Sequence, residues 1–474
     1  MESKEVFGSN YLLLKPEEAS VVDLGRLLFS SKLSNRRFIE CREEIQATDF
    51  RQRWLIFISV VAQILLLASR NSLKKVGDIL EFSLNLLSCN GGFKGLFFNI
   101  LRGKVKRPEK SSASYLSVVG FVDTRLDLDR NIKQNDAKYK GFLSMMASKI
   151  SYENENFLCN AVQNHWNMEF LGLHSFWNDY QEQWSTQAII LQDKKWEPKL
   201  IVVAFRGTDP FDADQWRTDV DISWYHLPNV GRIHGGFMKA LGLQKNSGWP
   251  REIDQTTHHS YAYYSIREKL RTMLEANTDA KFIVTGHSLG GALAILFAAL
   301  LTIHEEAWLL DKLEGVYTFG QPRVGDYEFG EFMKDKLREY DVRYMRYVYS
   351  NDLVPRIPYD DKNLFFKHFG PCLYFNNLYQ GQVLEEEPNK NYFSLFWVLP
   401  KILNAVWELI RGFLLPLVVG KSYTQTWIMT IIRFFGLMIP GIAEHLPTDY
   451  VNLTRLECLP ELLELQNSQD SKAD

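Results

Sequence analysis

Cysteine is scarce. The 474 residues hold five, Cys41, Cys89, Cys159, Cys372 and Cys458, scattered, odd in number and without a C-x-x-C pair. That distribution argues against a disulfide framework and against a zinc site. Net charge is nearly absent as well: 54 basic side chains against 57 acidic ones leave −3. The chain therefore has no global field to attract nucleic acid or an anionic membrane, and any such attraction must be local. No internal repeat or low-complexity tract is present, no metal or cofactor motif, and no uninterrupted apolar run of the ~20 residues that a bilayer-crossing helix needs. The first fifteen residues carry Glu2, Lys4 and Glu5 and lack the apolar centre of a secretory signal, so an intracellular protein is expected.

What is abundant is aromatic: 14% of the chain, with 31 Phe and 12 Trp, a content that fits a protein meeting apolar surface. The length exceeds the ~100–200 residues of a typical domain and suggests one large domain with appendages. The first apolar run is Trp54 to Ala68 (WLIFISVVAQILLLA), flanked by Arg51, Arg53 and Arg70. As a helix it would rise about 22 Å, short of a hydrocarbon core of about 30 Å. A mixed stretch from Val76 to Leu101 and a basic tail of Arg102, Lys104, Lys106, Arg107 and Lys110 follow it. These parts suit an in-plane or hairpin lipid anchor over about 54–101; the alternative is a helical subdomain packed on the rest. Ser111 to Asp136 reads as a linker that closes an N-terminal region, 1–136.

From Ala137 the texture changes. Leu200 to Phe205, Lys281 to Thr285, Gly315 to Phe319 and Tyr344 to Tyr349 read as strands, and Tyr261 to Ala276 and Ala292 to His304 as helices. Such alternation implies a mainly parallel sheet covered on both faces, over 137–460, before a polar tail at 461–474. Within it a second apolar region, about 391–442, is broken by Pro400, Pro416 and Pro440. Lys401, Glu408, Arg411, Lys421 and Arg433 recur in it as the wet face of a surface-lying, lipid-contacting insertion; the alternative is a set of buried core helices.

The sharpest local signal is Gly286-His287-Ser288-Leu289-Gly290-Gly291, between a strand and a helix. This G-x-S-x-G pattern is a nucleophile elbow, whose strained turn needs small residues on both sides of the serine. A serine hydroxyl needs a base to take its proton, and the base needs an orienting carboxylate. In such folds the chain order is Ser, acid, His. Asp352, just past the strand YMRYVY, suits the acid. Of the ten histidines only His368 and His445 follow it. His445, on the expected loop after Pro440-Gly441, is the preferred base; His368, between Phe366 and Phe369, reads as packed.

The pieces VVAFRGTDP, IHGGF, TGHSLGGA, YTFGQPRVGD, SNDLVPRIP and EHLPTDY, in this order over about Ala137 to Leu453, resemble the class 3 lipase family of fungal-lipase-like α/β hydrolases, and within it the plant oil-body lipases. The resemblance implies an α/β-hydrolase fold, the triad Ser288, Asp352 and His445, and an oxyanion hole from the Leu289 backbone N–H and from Thr208. It also places a lid at Phe211 to Trp224. Trp216 is the lid candidate there, or a plain core tryptophan. The N-terminal region and the apolar insertion depart from the compact fungal members.

The expected function is hydrolysis of acylglycerol esters, triacylglycerol favoured, at a lipid-droplet monolayer or membrane surface, without metal or cofactor and without nucleic acid as partner. A phospholipase A1 or galactolipase would use the same triad; a non-catalytic droplet coat protein would not need it. If the N-terminal run is a separate anchor, deleting Arg51 to Arg107 should move the protein off droplets and spare hydrolysis of a soluble ester.

Overall fold

The computed structural model describes residues 10–456 apart from 31, 32, 34, 35, 42–48, 195–197, 246, 254–258, 359, 361–365, 391 and 393–396; Cys458 and the expected tail at 461–474 lie outside the described residues. The central sheet has eight strands in the order β12-β11-β10-β9-β8-β5-β4-β3. They are β3 (Glu169–Asn178), β4 (Gln183–Asp193), β5 (Leu200–Phe205), β8 (Lys281–His287), β9 (Leu313–Phe319), β10 (Arg343–Tyr349), β11 (Cys372–Phe375) and β12 (Gly381–Leu384). The run from β5 to β11 is parallel, and β3, β4 and β12 add antiparallel edges. Along β5, Ile201, Val203 and Phe205 enter one core while Leu200, Val202 and Ala204 enter the other. A sheet covered on both faces requires such a continuous apolar run.

One face carries α8 (Gly235–Leu241), α9 (Ala262–Ala276), α10 (Leu289–Ile303), α11 (Ala307–Lys312) and α12 (Tyr327–Glu339). The other carries α5 (Tyr139–Ile150), α6 (Glu155–Asn160) and α15 (Pro447–Leu456). This is the α/β-hydrolase arrangement. Helix α10 starts three residues before the expected Ala292, because it begins on the residue that follows the elbow serine.

The region before 137 is not a detached module. Strand β1 (Asn10–Leu14) pairs with β2 (Ile39–Cys41) and with β6 (Trp224–Leu227), and β6 pairs with β7 (Gly231–His234), forming a second, antiparallel sheet. Leu24 and Leu27 of α1 (Val21–Phe29) pack there with Ile56, Val60 and Trp224. The expected short apolar run and the first part of the mixed stretch after it form one helix, α2 (Phe50–Cys89), of 40 residues. By length and composition α2 could cross a membrane, which overturns the reading of a run too short to do so. Lys74, Lys75 and Asp78 lie on its exposed side and do not interrupt it, while Ile56, Gln63, Gly77 and Leu84, spaced by multiples of seven, are buried on the other. Buried residues from Gln52 to Asn85 hold α2 along the domain. Gly91 and Gly92, both at positive φ, then turn the chain into α3 (Gly92–Leu101).

The expected linker is corrected too. It contains α4 (Val118–Val122), which is buried, and Asp123, whose carboxylate pairs with Arg125 and with Lys149 of α5. The insertion forms α13 (Val398–Val418) and α14 (Trp427–Gly436), with Pro416 inside α13. Its polarity is the reverse of the expected one. Lys401, Glu408, Arg411 and Arg433 are buried, and Leu399, Phe413, Leu417, Phe434 and Phe435 are exposed; only Lys421 of the expected wet face is exposed. The charges turn inward because partners wait there, as the site shows.

Candidate active site

Ser288 follows β8 with φ 59° and ψ −131°, a conformation strained for any residue but glycine. The close fit of the neighbouring backbone sustains it. A Cβ on Gly286 would strike the Gly290 backbone, and one on Gly290 would strike the Phe205 carbonyl at the end of β5. A Cβ on Gly207 would lie 2.5 Å from the His287 carbonyl oxygen, so the loop after β5 runs against the elbow. The turn is pinned by Ser288 N–H donating to the Phe319 carbonyl at 2.9 Å.

The structure brings Ser288, His445 and Asp352 together. His445 Nε2 lies 2.8 Å from Ser288 Oγ, and its Nδ1 lies 3.0 and 2.9 Å from the two Asp352 oxygens. With Nδ1–H donating to the carboxylate, Nε2 is free to accept the serine proton. Asp352 is fully buried and satisfied besides: Val354 N–H donates to Oδ1 at 2.9 Å and the Tyr450 hydroxyl to Oδ2 at 2.5 Å. Burial, with the Asp352 charge adding to it, pushes the Tyr450 hydroxyl well above the usual tyrosine range, which keeps it a donor. The other candidate, His368, lies elsewhere. Its side chain is buried with Nε2 on the Pro355 carbonyl at 2.7 Å, and burial drives its pKa far down.

Three residues that the sequence reading missed complete this arrangement. Tyr450 lies in the EHLPTDY motif. His287, in the elbow itself, donates from Nε2 to the His445 carbonyl at 2.7 Å and accepts the Tyr152 hydroxyl on Nδ1 at 3.0 Å. Burial, and next the proximity of His445, lowers its pKa well below the usual value, so it stays neutral. Gly320, at φ +60°, packs so close that a Cβ would lie 2.9 Å from both Asp352 Oδ2 and His445 Nδ1. For Tyr450 and His287 the signal was a functional group inside a quoted motif; Gly320 lies in one as well but has no functional group to mark it.

Leu289 is the first residue of α10, where a backbone N–H has no intrahelical partner and forms part of the dipole's positive end. Thr208 follows β5, and its hydroxyl donates to Asp219 Oδ2 at 2.7 Å, both residues being buried. Burial pushes the Asp219 carboxyl up to about 7. While Asp219 is charged it holds the hydroxyl proton, which leaves the backbone N–H as the other donor of Thr208. Once protonated, it can donate to Thr208 Oγ1 and free that proton too. Asp219 belongs to α7 (Ala213–Val220), which lies in the expected lid segment. Trp216 on α7 is half-buried and donates from Nε1 to the Pro210 carbonyl at 3.1 Å.

Behind the acid and base, the insertion's charges meet their partners. Arg433 pairs with Glu408 at 2.5 Å and with both oxygens of Asp449 at 2.9 and 2.8 Å; Arg411 reaches Asp449 at 2.9 Å. The Tyr349 hydroxyl donates to Glu408 at 2.8 Å and the Tyr379 hydroxyl to Asp449 at 2.6 Å. Among the described residues no group of three or more His, Cys, Asp or Glu could hold a metal ion.

The family model described as lipase (class 3) matches residues 202–362. The triacylglycerol lipase OBL1 of Nicotiana tabacum is 41% identical, over 85% of this chain and 83% of its own length. Those of Arabidopsis thaliana, at 38% identity, and Ricinus communis, at 35%, cover 94% and 96% of this chain and 95% and 96% of their own. On likeness over nearly its whole length, and with a strained elbow serine at the end of a parallel strand, this chain belongs to the class 3 lipase family.

Proposed function

We propose that the chain hydrolyses carboxylic ester bonds of acylglycerols, triacylglycerol favoured, at a lipid surface, with Ser288 as nucleophile, His445 as base and Asp352 as orienting acid. The observation that carries this reading is the chain of contacts from Ser288 Oγ to His445 Nε2 at 2.8 Å and from His445 Nδ1 to Asp352 at 2.9 Å. Ser288 Oγ attacks the ester carbonyl while its proton passes to His445, whose positive charge Asp352 balances. The oxyanion then forms against the backbone N–H groups of Leu289 and Thr208, and the loss of one such donor typically costs about 3 kcal/mol. Collapse expels the glyceride alcohol, which takes the proton from His445; water, deprotonated by the same histidine, releases the fatty acid.

Triacylglycerol as the substrate is supported by the names of the relatives, each a triacylglycerol lipase. The lipid surface, an intracellular droplet or membrane, is supported by the exposed apolar residues of α2, α3, α13 and α14. A droplet coat protein would have no use for so complete an acid–base chain. Ser288→Ala should abolish turnover of emulsified triacylglycerol and labelling by an organophosphonate, with the fold unchanged by circular dichroism. Normal turnover by that variant would overturn the assignment. Cleavage of phospholipid vesicles in preference to triacylglycerol by the unmodified protein would move the substrate to the phospholipase A1 class.

A further inference from the structure

Helix α7 is held from two sides. Toward the core, Asp219 on its last turn accepts the Thr208 hydroxyl at 2.7 Å. On the other side it lies against α2. The Ser59 hydroxyl donates to the Val220 carbonyl at 2.7 Å, at the residue after Asp219, and Gln63 Nε2 donates to Ser59 Oγ at 3.3 Å. Arg70 Nε pairs with Asp214 Oδ2 at 2.9 Å. Gly77 meets the residue leading into α7 so closely that a Cβ there would lie 2.6 Å from the Cβ of Phe211. Both ends of α7 are thus fixed by one helix, and α2 is itself exposed along its far side through Trp54, Ile58 and Leu65.

We propose that Ser59 and Gly77 of α2 are positioning residues for ester hydrolysis, acting through α7 and Asp219 to hold Thr208 where it faces the developing oxyanion. The inference rests on the hydrolase reading above. Oxyanion donors act because they are in place before charge develops, so a donor whose anchor is loose loses part of its effect. The Thr208 anchor is Asp219, and Asp219 sits on a helix of eight residues, too short to keep its shape unaided. The Ser59 bond satisfies a carbonyl on the last turn of α7, one of those left without an intrahelical partner. The Gly77 contact sets the distance between the two helices. Arg70, half-exposed, contributes less.

The test uses the purified full chain and a soluble short-chain ester, so that lipid binding plays no part. Ser59→Ala and Gly77→Leu should each lower kcat about tenfold and leave KM within about twofold, because ground-state binding does not use the oxyanion donor. Thr208→Val removes the hydroxyl through which the effect passes. In that background, already slowed, neither substitution should lower kcat further. Equal losses in both backgrounds would mean general loosening and overturn the proposal. So would unchanged kcat, and so would a rise in kcat, which would mean that α2 restrains α7 over the site. Should Gly77→Leu fail to fold, Ser59→Ala, which removes one oxygen, decides alone. Failure here with an active unmodified enzyme and a dead Ser288→Ala leaves the hydrolase reading standing; activity in Ser288→Ala removes both.

Discussion

Two histidines follow Asp352 in the chain, and their surroundings separate them. His445 has one nitrogen on each side of a proton path, half-buried and facing the serine. His368 spends Nε2 on a backbone carbonyl beside Glu387, which Arg323 and Arg346 already neutralise at 2.9 and 3.0 Å. His445→Ala should therefore lower kcat by about four orders of magnitude or more, as loss of a triad base does. His368→Ala should lower the melting temperature and leave kcat nearly unchanged. Steady-state rates and thermal melts of both variants check this, and the opposite pattern would reassign the base. Gly320 was invisible to a motif reading that stops at residues with functional groups. Its role is to be small, and only the contact distances reveal that.

At the scale of elements, the strands and helices around the elbow were legible because their apolar runs and small-residue turns are local signals. Leu200–Phe205 and the helix from Tyr261 need no partner to be recognised. The insertion was not legible in the same way. Lys401, Glu408 and Arg411 recur at helical spacing on α13, with Arg433 on α14, and a charged stripe on an apolar helix ordinarily faces water. Here Asp449, Tyr349 and Tyr379, which form the other half of the network, come from a helix, a strand and the turn between β11 and β12, and no local pattern announces them. The result is an element with its polar side inward and its apolar side out, the polarity of a helix whose outer surroundings are lipid. Removing one member of such a network strands the rest. Arg433→Leu leaves Glu408 and Asp449 short of a cation, and breaking buried pairs in this way costs about 3–5 kcal/mol. A drop in melting temperature of several degrees is expected from it, larger than that from Phe434→Ser on the neighbouring exposed position. Equal or smaller loss in Arg433→Leu would show that the charges are solvated after all.

The whole molecule joins what the sequence presents as two separate anchors. Leu84 of α2 shares a buried cluster with Phe121 and Val122 of α4, Ile428 and Met429 of α14, and Ala443 two residues before the base. Phe93 of α3 meets Trp427 of α14 with ring centroids 6.4 Å apart. The exposed residues around that junction, Phe97 and Phe98 on one side and Phe434 and Phe435 on the other, extend from one packed unit that also carries His445. Basic side chains at Arg102, Lys104, Lys106 and Arg107 lie exposed beside α3, suited to a phospholipid headgroup layer. Because α2 is also core, through Ile56 and Val60 in the small sheet's cluster and through its hold on α7, the deletion of Arg51 to Arg107 cannot separate anchoring from catalysis. That corrects the expectation of a dispensable anchor: the truncated chain should lose hydrolysis of a soluble ester together with its fold. Surface charge makes the separation that deletion cannot. A quadruple substitution of Phe97, Phe98, Phe434 and Phe435 to Glu touches exposed side chains only. It should leave kcat on a soluble ester within about twofold, since surface positions rarely matter to the fold, while flotation with triacylglycerol droplets under a phospholipid monolayer falls at least tenfold. Each buried phenyl removed from water contributes roughly 2 kcal/mol to such binding, so four replaced by carboxylates are more than enough to be seen. Undiminished flotation with intact activity would place the lipid-facing surface elsewhere on the molecule.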